Sequence, residues 1–261
     1  MRKINGKYYF IYSSFLGHEL CYAISDKPDR DFKFGGTIVS IGDVGLGEHK
    51  DVKSASNFTG NTHGSILTID DKHYIFYHRQ TNRHCFSRQG CVEEIKIEED
   101  GSIKQVEVTS CGLNGGPLPL KGEYGFSIAC NLTCPEGGKF YMPIKGPKGK
   151  RPYFTQSGKD REDNPDQYIA NFHSGDVAGF KYFAAKGDEK KIEILLSGNA
   201  QGRILVYGRQ KKEPLSSVSL AVEGEERQKV SAPFHIAAGC TPLFFEYEGS
   251  GALDLFSFRI G

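Results

Sequence analysis

Short runs in which apolar and polar side chains alternate recur along the whole chain, and turn-forming residues separate them. Residues 4–12, for example, form a turn followed by a strand rich in aromatic side chains, Ile-Asn-Gly-Lys-Tyr-Tyr-Phe-Ile-Tyr. Alternation with a period of two predicts β-strands, because successive side chains of a strand point to opposite faces of its sheet. The pattern therefore predicts an all-β protein that is rich in turns.

The opening segment has a second copy further along the chain. Residues 69–77, Ile-Asp-Asp-Lys-His-Tyr-Ile-Phe-Tyr, align with residues 4–12. Further strands are predicted at 20–25, 90–97 and 102–108. Repeated groups of short antiparallel strands are typical of β-propellers, whose blades are four-stranded sheets. Since a blade takes roughly 40 to 50 residues, this part of the chain supplies about two blades of an incomplete propeller.

A segment rich in Gly, Pro and Lys, residues 135–152, then interrupts the alternation and predicts an interdomain linker. The predicted organisation is a partial propeller over residues 1–134, the linker, and a jelly-roll-like β-sandwich over residues 153–261. The Gly-Ser-Gly sequence at 249–251 is predicted to be the turn of a hairpin. The predicted strands of the sandwich are 167–172, 179–184, 191–196, 203–207, 216–222, 233–237, 243–247 and 253–260.

Charge and composition narrow the classes of partner. The 33 Lys and Arg residues nearly balance the 32 Asp and Glu residues, so no net field favours nucleic acid or an anionic membrane. No apolar run approaches the ~18 to 20 residues of a membrane helix. A neutral small molecule or neutral polymer is therefore the expected partner.

Cysteine usage and the first residues bear on the compartment. The seven cysteines are irregularly spaced and odd in number, which favours reduced thiols in a cytoplasmic protein. Met1 and the residues after it lack the apolar core and the cleavage site of a secretory signal. A segment preceding Met1 could carry one.

Two groups of residues could carry chemistry. His63 is flanked by small residues in the sequence Asn-Thr-His-Gly-Ser-Ile, which leaves room for a metal-bound water or a sugar against its imidazole. The alternative is a histidine that only hydrogen-bonds a neighbouring loop. Arg79, Arg83 and Arg88 follow the repeated strand, and a guanidinium offers a fixed fork of donors to sugar hydroxyls or a carboxylate. The alternative for these arginines is a surface charge.

An ordered series of motifs carries a resemblance to a known family. KINGKYYFIYSS, GNTHGSI, YIFYHRQ, FSRQGCVE and DGSIKQVEVTSCG resemble the C-terminal part of glycoside hydrolase family 43. QYIANFHSGDVAGFKYF and LFFEYEGSGALDLFSF resemble family 6 carbohydrate-binding modules. The resemblance implies a five-bladed propeller, inverting hydrolysis of arabinose- and xylose-containing plant polysaccharides, and an oligo- or polysaccharide as partner.

The resemblance also implies roles for individual residues. His63 matches the central histidine beside the propeller channel, which helps to hold a metal or water, and Arg88 matches an arginine that lines the substrate pocket. Calcium is an expected cofactor, with Asp254 as a candidate ligand near the last strand. Since the chain has no Trp, other aromatic rings would have to stack on sugars. The candidates are Tyr168, Phe172, Tyr182 and Tyr207.

The three catalytic acids that the resemblance implies have no counterpart in the chain. They would precede the strand that begins at Asn5. Glycosidic hydrolysis needs two carboxyl groups, yet Glu19, Asp43, Glu48 and Asp51 are not distinguished from ordinary exposed acids. The sequence therefore predicts a glycosidase by ancestry that is inactive alone. Two alternatives are a non-catalytic carbohydrate-binding protein and a chain whose missing blades and acids come from a second polypeptide.

Overall fold

The computed structural model describes residues 1–83, 86–137, 151–158, 166–209 and 212–261. Among these residues, seventeen β-strands and three single-turn 3-10 helices account for the regular structure, which confirms the all-β prediction. None of the helices in the described ranges has the length and apolar character needed to cross a bilayer. The chain divides into two compact units, Met1–Val108 and Thr109–Glu136 with residues 151–261.

The first unit contains two antiparallel sheets, in which neighbouring strands follow one another along the chain. The first sheet consists of β1 (Arg2–Ile4), β2 (Lys7–Ser13), β3 (Glu19–Ser25) and β4 (Lys33–Ser40). The second consists of β5 (Ser65–Ile69), β6 (Lys72–Gln80) and β7 (Arg88–Ile95). Two 3-10 helices, η1 (Ile41–Asp43) and η2 (Val52–Ser54), lie between the sheets in sequence. The number of blades stays a prediction.

The sequence repeat is also a structural repeat. Asn5 and Gly6 join β1 to β2 with φ values of 48° and 82°. Asp70 and Asp71 join β5 to β6 in the same way, with φ values of 48° and 63°. A two-residue turn with both residues left-handed matches the twist of the strands that it connects. Each copy therefore begins with the same kind of tight hairpin.

The predicted strand at 102–108 is wrong. Only an isolated bridge from Ile97 to Ile103 and one from Val39 to Val106 occur there. The backbone N–H of Ile103 donates to the hydroxyl of Tyr22 at 2.8 Å instead of to a neighbouring strand. Side chains from earlier in the chain thus take the hydrogen bonds that a strand would need.

The second unit is built around two unusually long strands that pair with each other along most of their length. These are β14 (Lys191–Tyr207) and β17 (Gly239–Ile260). Their other partners are β9 (Gly122–Gly125), β12 (Asp166–His173), β13 (Val177–Ala185), β15 (Ser216–Val222) and β16 (Gln228–Pro233). The outer strands are β8 (Leu118–Pro119), β10 (Asn131–Thr133) and β11 (Tyr153–Ser157), and η3 (Phe126–Ile128) follows β9.

The predicted hairpin at 249–251 is wrong, because these residues lie inside β17. Gly249 pairs with Gly202, and Gly251 pairs with Ala200. A Cβ on Gly251 would meet the carbonyl oxygen of Asn199, and its φ of 83° is one that side-chain-bearing residues avoid. The glycines therefore permit close approach within a paired strand rather than a chain reversal. The predicted bounds 233–237 are also wrong, because the strand of this region, β16, spans Gln228–Pro233.

The predicted boundary between the two domains also differs from the structure. β8 and β10 pair with β13, and β9 pairs with β17, so all three belong to the sheet of the second unit. The first unit accordingly ends at Val108 rather than at residue 134. Most of the predicted linker, 135–152, lies outside the described residues and stays a prediction.

The core of the second unit is a cluster of aromatic rings in edge-to-face contact, a geometry that favours aromatic pairs beyond their buried area. Its members come from η3, β13 and β17 and are Phe126, Phe180, Phe183, Phe245 and Phe258. The two halves of β17 contribute one ring each, Phe245 and Phe258, so this strand runs through the whole cluster.

Candidate functional site

His63 lies in the loop immediately before β5, and Gly64 determines how closely that loop approaches β6. A Cβ on Gly64 would meet the carbonyl oxygen of Phe76 and would lie 2.8 Å from a methyl carbon of Leu20. Only glycine fits this position without displacing the backbone of β6. The small residue after His63 thus serves close packing, while the His63 side chain itself remains exposed.

The imidazole of His63 stacks on that of His78, a residue of β6. The two ring centroids are 5.5 Å apart, with 30° between the ring planes. Nδ1 of His63 lies 3.3 Å from Nε2 of His78, so one nitrogen donates and the other accepts. His78 was not among the residues singled out from the sequence, because a histidine inside an alternating strand gives no signal of its own.

The pairing of β6 with β7 places Arg88 on the same face as His78. Arg88 is opposite Gln80 and Gly90 is opposite His78, and cross-strand partners share a face of the sheet. The structure therefore brings together the two predicted substrate-binding residues, His63 and Arg88, around a third residue. We call His63, His78 and Arg88 the His–His–Arg group.

The electrostatics of the His–His–Arg group keep His78 uncharged at neutral pH. Burial, the positive charge of Arg88 and the neighbouring His63 together lower the pKa of His78 to about 4. Burial is the largest cause, since it disfavours the charged imidazolium. A neutral imidazole can both donate and accept a hydrogen bond, which suits contact with hydroxyl groups.

Several buried polar atoms of β6 and of the loop before β5 have no hydrogen-bond partner within the described residues. They are Oγ1 of Thr59, Oγ1 of Thr62, Nδ1 of His78 and Oε1 of Gln80. The amide nitrogen of Gln80 is satisfied, since it donates to Asn61 at 3.0 Å. Leaving a buried polar atom unpaired costs roughly 1 to 3 kcal/mol. Such atoms indicate a place where water, a ligand or further polypeptide completes the bonding.

Most of the acidic residues that the sequence offered as candidate catalytic groups form hydrogen bonds that stabilise the fold. Asp43 is buried rather than exposed, which corrects the sequence interpretation, and it accepts the N–H of Val108 at 2.7 Å. Glu19 accepts the hydroxyl of Thr37 at 3.0 Å. Asp51 caps η2 by accepting two backbone N–H groups. Glu48 is exposed.

A second candidate site is a cleft in the second unit, with a volume of about 820 Å³. Tyr153 of β11, Tyr168 of β12 and Asp254 of β17 line it. Asn171 and Asn199 add two amide side chains. Aromatic faces together with a few convergent polar groups are typical of small-molecule sites, and amides and carboxylates bind hydroxyls directly.

Asp254, one of the lining residues of this cleft, is held in place by a hydrogen bond. Its Oδ1 accepts the backbone N–H of Asn171 at 3.0 Å. Asn171 has a φ of 62°, and its side-chain amide donates to the carbonyl of Arg151 at 2.9 Å. Burial raises the pKa of Asp254, and the negative charge of Glu225 contributes to the increase. A carboxyl in this position is well placed to accept from a sugar hydroxyl.

Of the four aromatic residues predicted from the sequence to stack on sugars, one lines this cleft. Tyr168 lines it, whereas Phe172 is fully buried in the core. Tyr182 and Tyr207 are not among the lining residues of this cleft. Tyr153 was missed, because it directly follows a segment without strand alternation.

Comparisons with known proteins give the chain a family context. No family model matches it. A xylosidase/arabinosidase of Thermoclostridium stercorarium is 45% identical over 262 aligned residues, covering 100% of this chain and 54% of the relative. A solved family 43 arabinoxylan arabinofuranohydrolase from Bacillus subtilis covers 99% of this chain and 52% of that chain, at 16% identity and a TM-score of 0.53.

The resemblance to glycoside hydrolase family 43 is confirmed. The chain spans about half the length of the Thermoclostridium stercorarium relative and of the Bacillus subtilis structure. A structure of a β-1,3-glucan-binding family 6 module from Bacillus halodurans aligns with 55% of this chain and 98% of the module, at 14% identity and a TM-score of 0.43.

The family 43 resemblance implies metal binding at His63 and at Asp254. Calcium takes six to eight oxygen ligands. In the described part of the chain, no three or more His, Cys, Asp or Glu side chains are grouped so that they could hold a metal ion. One oxygen of Asp254 is engaged by Asn171, and Nδ1 of His63 faces His78. Metal binding at His63 and calcium binding at Asp254 stay predictions.

Proposed function

We propose that this chain forms part of a glycoside hydrolase that degrades arabinose- and xylose-containing plant polysaccharides. The observation that supports this most is the 45% identity to a xylosidase/arabinosidase, which runs through both units rather than one. The His–His–Arg group fits the same role, because a neutral imidazole and a guanidinium offer hydrogen bonds to sugar hydroxyls. In this proposal His63 and Arg88 bind the substrate and transfer no proton.

We further propose that the chain alone does not catalyse hydrolysis. The reaction requires an acid and a base or nucleophile separated by roughly 5 to 9.5 Å. Glu19, Asp43 and Asp51 are engaged in hydrogen bonds that stabilise the fold. The acid and the base would come from polypeptide beyond these 261 residues.

A chimera tests the proposal, with this chain replacing the matching segment of the Thermoclostridium stercorarium relative. We expect the chimera to hydrolyse an aryl α-L-arabinofuranoside or an aryl β-D-xyloside, and the chain alone to give no turnover. Arg88→Ala in the chimera should raise KM about tenfold or more, since a lost charged hydrogen bond costs roughly 1.5 to 3 kcal/mol. Arg30→Ala, which changes an exposed arginine between β3 and β4, is the matched control.

Two results would contradict the proposal. One is a folded chimera without activity on either substrate. The other is turnover by the chain alone that Glu19→Gln removes at an unchanged melting temperature, because the catalytic acid would then lie within the chain.

The cleft of the second unit favours a second candidate function, binding of carbohydrate without cleavage. Tyr168 and Tyr153 would stack on sugar rings, while Asn199 and Asp254 would accept or donate hydrogen bonds to hydroxyls. Arabinoxylan, arabinan and xylo-oligosaccharides are the ligands that follow from the proposed hydrolase.

Affinity electrophoresis and titration calorimetry with these ligands test the cleft. Tyr168→Ala and Tyr153→Ala should each weaken binding at least tenfold, whereas Tyr207→Ala, outside the cleft, should not. The absence of binding by the wild-type chain, or equal binding by all variants, would exclude the cleft as a carbohydrate site.

A further inference from the structure

The first sheet of the first unit presents an aromatic surface to solvent. Phe10 of β2 is 49% exposed and Phe34 of β4 is 69% exposed. The ring of Phe10 stacks on that of Tyr12 at 5.8 Å between centroids and meets Phe32 edge-on at 6.3 Å. We call Phe10, Tyr12, Phe32 and Phe34 the aromatic face.

The strand register makes this face continuous. Phe10 is opposite Ala23 of β3, and Ala23 is opposite Phe34 of β4. The two phenylalanines therefore flank the small side chain of Ala23 on one face of the sheet. Single exposed apolar residues are ordinary on protein surfaces, but a contiguous aromatic patch marks an interaction site.

The opposite face of the same sheet is already packed within the first unit. Tyr9 and Tyr22 are fully buried there, with their ring centroids 6.1 Å apart. The hydroxyl of Tyr9 donates to the carbonyl of Gly101 at 2.9 Å. Antiparallel sheets with one solvated face normally show polar residues on it. A sheet with aromatic residues on both faces is instead suited to lie between two packed layers.

The comparisons indicate what the second layer could be. Slightly less than half of the Thermoclostridium stercorarium relative has no counterpart in this chain, although the chain itself is matched throughout. The Bacillus subtilis family 43 structure likewise extends well beyond the part that this chain covers. Blades of a propeller are sheets that pack through their faces around a central channel.

We propose that the aromatic face is the docking surface for an apolar face of a β-sheet from family 43 polypeptide that this chain does not contain. Phe10 and Phe34 are the anchors, since exposed aromatic residues dominate the energetics of such contacts. Asp29, Asp31 and Lys33, which are close to Phe34 in the sequence, are exposed and supply charged groups of the kind found at the rim of an interface. The proposal rests on the proposed function only in its choice of partner.

Co-expression tests the docking surface. The complete chain is produced together with a tagged segment of the Thermoclostridium stercorarium relative, namely the part that this chain does not match. Retention of the chain on the tagged segment is measured for the wild type, Phe10→Ser, Phe34→Ser and Phe15→Ser. Phe15 is the matched control, because it is a fully exposed phenylalanine of the turn between β2 and β3 and lies off the aromatic face.

We expect the wild type and Phe15→Ser to be retained equally, and Phe34→Ser to be retained at least tenfold less. Far-UV circular dichroism and melting temperatures establish that the variants fold, and Phe34→Ser decides the result if Phe10→Ser does not fold. No retention of the wild type, or equal retention of all variants, would overturn the proposal. Self-association of the chain alone that Phe34→Ser abolishes would also overturn it, because a second copy would then occupy the face.

This outcome is separable from that of the chimera. The co-expression experiment measures association, whereas the chimera measures turnover with the two parts joined. An active chimera together with failed association would therefore refute the docking surface and leave the proposed function intact.

Discussion

Nδ1 of His63 lies 3.3 Å from Nε2 of His78, and this contact joins the loop before β5 to the C-terminal part of β6. His78 is half-buried and its Nδ1 has no partner within the described residues, whereas His63 is exposed. The pair thus combines a solvent-facing imidazole with a neutral, desolvated one. Arg88 on the neighbouring strand completes the group, and its positive charge adds to the effect of burial in lowering the pKa of His78.

Replacing Arg88 with Gln should raise the pKa of His78 from about 4 toward its ordinary value of 6.5. The increase should be partial, because burial remains the largest cause of the low pKa. NMR titration of the imidazole carbon-bound protons measures it, with Arg30→Gln as a control that leaves the pKa of His78 unchanged. An unchanged pKa in Arg88→Gln would show that the guanidinium does not act on His78.

The low pKa of His78 also predicts how stability depends on acidity. Between pH 6.5 and about pH 4, the unfolded chain binds a proton at His78 while the folded chain does not. The contribution of His78 to the free energy of unfolding should therefore fall as the pH is lowered through this range. Urea unfolding of the wild type and of His78→Gln measures the effect, and the variant should lose less stability. Parallel losses in both proteins would contradict the assignment.

Asp176 should act in the opposite direction over an overlapping pH range. It is almost fully buried, and burial raises its pKa from 3.8 to about 7, against the opposing effect of the His173 N–H that it accepts at 2.7 Å. Between pH 3.8 and pH 7 the folded chain retains a proton that the unfolded chain has lost. The contribution of Asp176 to stability should therefore fall as the pH rises through this range, by an amount on the order of 2 to 4 kcal/mol.

Asp176→Asn removes this titration while keeping an oxygen that can accept the N–H of His173. We expect the variant to gain stability relative to the wild type as the pH is raised from 4 to 7.5, as measured by urea unfolding. Asp29→Asn, at an exposed position, should follow the wild type. A difference between Asp176→Asn and the wild type that does not vary with pH would contradict the prediction.

Gly64→Ala should destabilise the first unit by about 2 to 4 kcal/mol, because its Cβ would meet a backbone carbonyl that cannot rotate away. Gly90→Ala is the matched control. Gly90 lies in β7 opposite His78, and a Cβ there has no neighbour within 4 Å. Thermal unfolding should show a change of less than about 0.5 kcal/mol for Gly90→Ala. Similar losses in both variants would show that the loop before β5 is not packed against β6.

Local features of the fold were predictable from the sequence. β15 spans Ser216–Val222, the same residues as predicted, because strict alternation marks a strand with one covered face. The strand predicted at 20–25 is β3, Glu19–Ser25. The turns at Asn5-Gly6 and Asp70-Asp71 follow from residues that tolerate left-handed backbone. In each case the determining interactions lie within a few residues of one another.

Features that depend on distant residues were not predictable. Burial of Asp43 depends on the N–H of Val108, and the loss of a strand at 102–108 depends on Tyr22. The His–His–Arg group was predictable in part. The motif resemblance indicates His63 and Arg88, whereas His78 lies beside Arg88 only because of the strand register. The cleft around Tyr168 needed the pairing of β12 with β17, which alternation alone cannot specify.

Substitution of Gly251 tests whether residues 249–251 lie in a continuous strand or in a hairpin turn. Its φ is 83°, and a Cβ there would meet the carbonyl oxygen of Asn199 on β14. Gly251→Ala should therefore lower the free energy of unfolding by about 2 to 4 kcal/mol, combining backbone strain with a steric clash. Gly251 also lines the cleft, so the same variant should weaken any carbohydrate binding there.

Gly224→Ala separates the two causes, because Gly224 has a φ of 90° but no atom within 4 Å of its would-be Cβ. This control should lose only the strain of a left-handed residue, about 1 to 2 kcal/mol. Urea unfolding compares the two variants. If residue 251 were in a hairpin turn, no strand would lie opposite it, and both alanine variants would lose the same free energy of unfolding. Equal losses would therefore support the hairpin. A clearly larger loss for Gly251→Ala would support the paired strand.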